Sequence, residues 1–146
     1  MKQVLLLFIL AVSGSHVTYS QQNSSRQEAE KEIRIVLQKQ ELAWNNYDLD
    51  EFMEGYWKSD SLVFVSEQVT KGWAVTLSNY RQKYSNQVEI GALKFDVLDV
   101  RALTPEVYVV TGSYYLTRTT TDLDGLFTLL FQKKKGKWVI VYDHTS

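Results

Sequence analysis

The sequence predicts an α+β domain, on three observations. Apolar residues recur at helical spacing through the first half of the chain, and after Gly91 the period changes to strict alternation. Turn residues then divide that second half into four strands. Helices first and an antiparallel meander after is the α+β order.

The leading segment is set apart. Met1-Lys2-Gln3 supplies a short positive start, Val4 to Val12 is unbroken apolar, and small and polar residues follow to Thr18-Tyr19-Ser20. That is the layout of a secretory signal peptide, with Thr18 and Ser20 at −3 and −1 of a cut before Gln21. A membrane span needs about 20 apolar residues, and this run is half that. Residues 1–20 are therefore expected to be a signal peptide, and 21–146 a single domain delivered to the periplasm or secreted.

Cutting 20 residues from 146 leaves 126, an ordinary single-domain length. The chain has no cysteine, which excludes both disulfides and a lipid-modified cysteine. Loss of Lys2 takes 16 basic residues to 15 against 17 acidic ones, a net charge of −2. Nucleic acid is not an expected partner, because it selects a basic patch. The one basic cluster, Lys133-Lys134-Lys135 with Lys137, flanks Gly136 and reads as a solvated turn.

Ser25-Arg26-Gln27-Glu28 fits a capping box, and Ile33, Val36, Leu37, Gln40, Trp44 and Tyr47 behind it make one long amphipathic helix. Asp48 to Glu51 repeats the box ahead of a short helix carrying Leu49, Phe52, Met53 and Tyr56. Residues 61–66 read as a strand. Gly72 opens a third helix with Trp73, Leu77, Tyr80 and Tyr84 on one face. The four later strands cover 93–101, 107–120, 126–133 and 137–145, with turns at Thr104-Pro105, at 122–125 and at Lys135-Gly136.

A two-residue turn at Lys135-Gly136 would pair Phe127 with His144, Leu129 with Tyr142 and Phe131 with Ile140. One face then carries Trp138, Ile140, Tyr142 and His144, and an even-length loop at 122–125 adds Tyr114, Leu116 and Arg118. A one-residue slip would reverse these assignments, because side chains alternate along a strand. The other face holds Leu126, Leu130, Val139 and Val141 and is also apolar. A sheet apolar on both sides needs two covers: the helices on one, and a second subunit, making a homodimer, on the other.

Trp44-Asn45-Asn46-Tyr47-Asp48-Leu49, Gly72-Trp73, Gly125-Leu126-Phe127-Thr128-Leu129 and the closing run Trp138 to Ser146 resemble the SnoaL-like branch of the nuclear-transport-factor-2-like (NTF2-like) superfamily. Within it the chain is similar to the domain-of-unknown-function 4440 group, from the first helix to the last residue. The resemblance implies a curved sheet wrapped around helices, a cone with a pocket at its open end, and frequent dimerisation through the sheet. Such relatives include isomerases, cyclases, dehydratases and non-catalytic binding domains, so the fold hosts function without specifying it. Ketosteroid-isomerase-like relatives use a tyrosine and an acid as an oxyanion hole with an aspartate base, but no motif here matches that set.

His144 is the sharpest candidate for chemistry, since His16 leaves with the signal peptide. It reads either as a core histidine or as a ligand-facing acid or base, its ring held neutral by aromatic neighbours. Asp143, adjacent on the strand, is expected to face the other way. Arg118 could receive a ligand carboxylate bidentately, or pair with a surface acid. Tyr56, Trp57, Trp73, Tyr80 and Tyr84 read as core or as pocket lining, with Tyr114 and Tyr142 joining them from the sheet and Ser66 as a further hydroxyl. A lone mature histidine excludes a histidine-rich metal site, and no phosphate loop, nucleophile elbow or paired-carboxylate motif is present. The expectation is a small acidic or aromatic ligand, with no metal and no cofactor. The alternatives are an enzyme of SnoaL-like type using His144, or an interaction domain with a vestigial pocket.

Overall fold

The computed structural model describes residues 14–85 and 90–146. The positive start and apolar run of the expected signal peptide lie outside the described residues. Among the described residues, three named helices, α1 (Gly14–Asn45), α2 (Leu49–Met53) and α3 (Trp73–Lys83), pack on one face of a six-stranded sheet. The strands are β1 (Val63–Val65), β2 (Val69–Lys71), β3 (Ala92–Thr104), β4 (Val107–Thr117), β5 (Leu123–Lys134) and β6 (Lys137–Thr145), in the order β2-β1-β6-β5-β4-β3. The sheet is curved and unclosed, and the α+β expectation holds.

The long amphipathic helix is present, but it does not begin at Ser25. α1 runs unbroken through that residue, whose hydroxyl instead donates to the Gln22 carbonyl at 2.9 Å. No glycine or proline lies between Ser15 and Ser25, so nothing ends the helix upstream of the box. From Ser20 onward, burial begins at Ala29 and continues through Ile33, Leu37, Gln40 and Trp44, one stripe facing the sheet. Tyr47, at φ 63°, turns the chain out of α1. Asp48 then caps α2 by accepting from the Glu51 N–H at 2.9 Å, as its box predicts.

α3 starts at Gly72, whose φ of 93° is open to glycine at little cost. The four meander strands are present, and Lys135 and Gly136, both at positive φ, make the last, two-residue turn. The turn expected at 122–125 lies earlier: β4 ends at Thr117, and Leu123 to Gly125 pair with Leu116 to Tyr114 as the start of β5. β2 has no counterpart in the sequence reading. It is three residues long, folds back on β1, and β1 in turn pairs in parallel with β6.

The register of β5 and β6 is where the sequence reading fails, and the failure moves the site. Pairing follows the predicted hairpin as far as Phe131 with Ile140. Val141 is then an unmatched extra residue, so Leu130 pairs with Tyr142, Leu129 with Asp143 and Phe127 with Thr145. Trp138 and Ile140 remain on the inner face. Beyond the bulge the sides exchange: Asp143 turns inward and is 2% exposed, while Tyr142 and His144 turn to the exposed outer face. Tyr114 and Leu116 stand on the inner face as expected, joined to β5 by a regular ladder.

β3 is a 13-residue edge strand, and α1 blunts it. Asn45 both donates to the Leu93 carbonyl and accepts from its N–H, at 2.9 and 2.7 Å, and Glu41 accepts from Phe95 N–H at 2.8 Å. Side chains one helical turn apart thus occupy backbone groups that would otherwise recruit another strand.

Candidate functional site

Between the helices and the inner face of the sheet lies a cavity of about 1030 Å³. α1 lends it Trp44, and α2 with the turn after it lends Phe52 and Tyr56. Tyr80 comes from α3 and Tyr84 from its C-cap. The sheet supplies Phe64 from β1, Phe95 from β3, Tyr114 from β4 and Phe127 from β5, so nine aromatic rings of the described residues line the space. They brace one another edge to face: Trp44 on Tyr84 at 4.8 Å, Trp44 on Phe52 at 5.1 Å, and Phe95 on Phe127 at 5.5 Å.

Asp143 enters this aromatic-lined space at the far end of β6. One carboxylate oxygen accepts from the Tyr56 hydroxyl at 2.7 Å and the other from the Thr145 hydroxyl at 2.6 Å. Burial raises its pKa from 3.8 to about 6, and the bonds from Thr145 and Tyr56, with His144 nearby, hold the rise in check. Tyr56 and Tyr80 are pushed well above the ordinary phenol range, first by burial and then by the Asp143 charge. Both therefore stay protonated, and Tyr56 remains a donor. A carboxyl poised near neutrality in a cavity is a group able to bind a cation or to exchange a proton.

Of the residues singled out in the sequence, Tyr56, Tyr80, Tyr84, Tyr114 and Ser66 line the cavity. His144 reaches its rim, but its side chain is exposed and lacks the aromatic enclosure expected for it. The bulge at Val141 is the cause. Tyr142, 40% exposed, is on the outer face for the same reason. Trp73 is turned into the helix layer, its indole N–H donating to the Met53 carbonyl at 2.8 Å and its ring beneath Lys58. Trp57 faces away as well, its ring 4.6 Å from the Lys134 ammonium.

Arg118 does not line the cavity. Its Nε donates to the Thr121 carbonyl at 2.7 Å, and its backbone N–H donates to Asp122, so the side chain is folded into its own turn. There it borders a shallow depression of about 230 Å³ with Asn45, Tyr47 and Thr119. The predicted lysine turn is also committed elsewhere, with Lys133 bonded to Glu32 of α1 and Lys134 over Trp57. Asp143 is the residue that alternation alone assigned to the wrong face. Among the described residues, no cluster of three or more histidine, cysteine or acidic side chains could hold a metal. No described helix is long and apolar enough to cross a membrane.

No protein-family model matches the chain, and no curated protein sequence does. Among solved structures it is similar to an NTF2-like protein of unknown function from Shewanella oneidensis MR-1. The two are 36% identical, with a TM-score of 0.79 over 81% of this chain and 98% of that one. The chain belongs to the NTF2-like family. An NTF2-like protein from Pseudomonas putida KT2440 (16% identity, TM-score 0.66, 82% of this chain and 87% of that) has the same fold. So does a ketosteroid isomerase-like protein from Erwinia carotovora atroseptica (15% identity, TM-score 0.62, 80% and 93%).

Proposed function

We propose that this NTF2-like chain is an exported small-molecule-binding domain whose ligand sits in the aromatic cavity. The observation that carries the reading is Asp143, a buried carboxylate aimed into an apolar space of ligand size. Buried charge is costly, and a protein under selection for stability alone would replace it. The leader-like first 20 residues support export. The test is thermal-shift screening of apolar and aromatic compounds against wild type and a Leu123→Trp variant, which fills the cavity from β5. A ligand at 100 times its Kd should stabilise wild type by about 2.7 kcal/mol and the filled variant by far less. Equal stabilisation of both would place the ligand elsewhere.

A second reading is an enzyme of proton-transfer type. Asp143, with a pKa of about 6 and Tyr56 as a donor at its side, suits general acid–base work better than His144 at the rim. One structural neighbour is a ketosteroid isomerase-like protein, which adds the fold-level precedent only.

The outer sheet face supports the homodimer. Leu126 (60% exposed), Leu98 (62%) and Tyr142 stand there, beside half-buried Leu130, Val139 and Val141. Light scattering at micromolar concentration should report a dimer, and Leu126→Glu should convert it to a folded monomer. A monomeric wild type would remove the second subunit.

A further inference from the structure

The charge inside the cavity is opposite to the one an acidic ligand requires. Among the described residues, Asp143 is its one buried ionisable carboxylate, and no lysine or arginine reaches the interior. Lys83 and Glu67, both exposed, are the other formally charged side chains of the described residues on the lining, and Arg118 is folded into its own turn outside. A ligand carboxylate beside Asp143 would set two like charges together in a low-dielectric space. A cation there would gain the attraction instead. The aromatic faces add to it, because ring quadrupoles attract ammonium groups most strongly where water is excluded. Each Asp143 oxygen accepts one hydroxyl, leaving lone pairs for a further donor.

We infer that the cavity selects an organic cation, with an amine or ammonium head beside Asp143 and an apolar body among the rings. The inference rests on the cavity being a ligand site, and it names the chemical class of that ligand. The ionisable groups facing Asp143 are Tyr56 and Tyr80, both kept protonated, and His144 at the rim, with Tyr84 and Tyr114 beyond them. The hydroxyl of Thr145 completes its surroundings.

Three compounds with one phenylbutyl body provide the test: 4-phenylbutylamine, 4-phenylbutanol and 4-phenylbutyrate, titrated calorimetrically into the full-length mature protein. At pH 7.5 the amine should bind about tenfold or more tighter than the alcohol, and the acid weakest. Between pH 5 and 7.5 the amine, cationic throughout, should gain affinity as Asp143 ionises, while the alcohol stays level. Asp143→Asn should bring the amine down to the alcohol and leave the alcohol unchanged. An alcohol or acid that binds wild type as tightly as the amine overturns the cation and leaves the binding cavity standing. The same holds if the amine keeps its advantage in Asp143→Asn. If none of the three binds at millimolar concentration, the binding cavity itself fails, and the cation with it.

Discussion

Asp143→Asn should melt at a higher temperature than wild type at pH 7.5 and slightly below it near pH 4, where the carboxyl is largely protonated and the lost hydrogen bond dominates. A folded-state pKa raised from 3.8 to about 6 means the folded protein holds the Asp143 proton more tightly than the unfolded chain does. That contribution to stability is complete below pH 3.8 and is lost as pH rises through 6. The size of the shift corresponds to about 3 kcal/mol. Asparagine cannot ionise, so it escapes the loss. It also offers one carbonyl oxygen where Tyr56 and Thr145 both donate, and that mismatch returns about 1 kcal/mol. The net gain at pH 7.5 should then be about 1–2 kcal/mol. Thermal melts from pH 4 to 8 on both proteins measure it. A variant less stable than wild type at pH 7.5, or a gap that ignores pH, would show that Asp143 serves the scaffold. A gain would mark it as a group kept at the expense of stability, the usual signature of a site.

The residues that build the scaffold announce themselves. Asp48 caps α2 where its box lies, Gly72 opens α3, and Lys135-Gly136 turns the last hairpin. Each rests on local chemistry, and local chemistry is written in neighbouring residues. The site is different because it depends on the parity of a strand. One unmatched residue, Val141, decides whether His144 or Asp143 faces the cavity, and nothing in Trp138-Val139-Ile140-Val141-Tyr142 distinguishes a bulge from a regular strand. The β1–β6 parallel pairing alongside it is equally hidden, because it joins segments almost 80 residues apart. Arg118 was legible as a strand-end charge, but its hydrogen bond to Thr121 depends on how the loop closes. The aromatics of α1 to α3 fared better: helical spacing puts Tyr56, Tyr80 and Tyr84 on the layer that meets the sheet, and there they line the cavity. Trp57 and Trp73 satisfy the same composition and point elsewhere, each held by a contact that spacing does not encode.

Gly112→Ala should be strongly destabilising for a single added methyl group in the sheet. Gly112 lies on the inner face of β4, paired with Val97 and Phe127. A Cβ built there would run into the Phe127 ring and stand 2.5 Å from the Asp96 carbonyl oxygen. No side-chain rotation relieves the second clash, because the oxygen belongs to the β3 backbone. Overpacking of this kind costs about 1–3 kcal/mol, and a backbone collision belongs at the upper end. The Phe127 ring must also move, and it braces Phe95 on the cavity floor, so ligand binding should suffer beyond the loss of stability. Phe127→Leu placed on the Gly112→Ala background separates the two clashes. It should recover the part owed to the ring and leave the part owed to Asp96, giving a coupling of about 1 kcal/mol in a double-mutant cycle. Gly136→Asn is the control: no atom lies within 4 Å of its Cβ position, and asparagine accepts the positive φ. A Gly112→Ala protein that melts with wild type, or a cycle with no coupling, would mean that β3 and Phe127 yield freely and that the cavity floor is not fixed by the glycine.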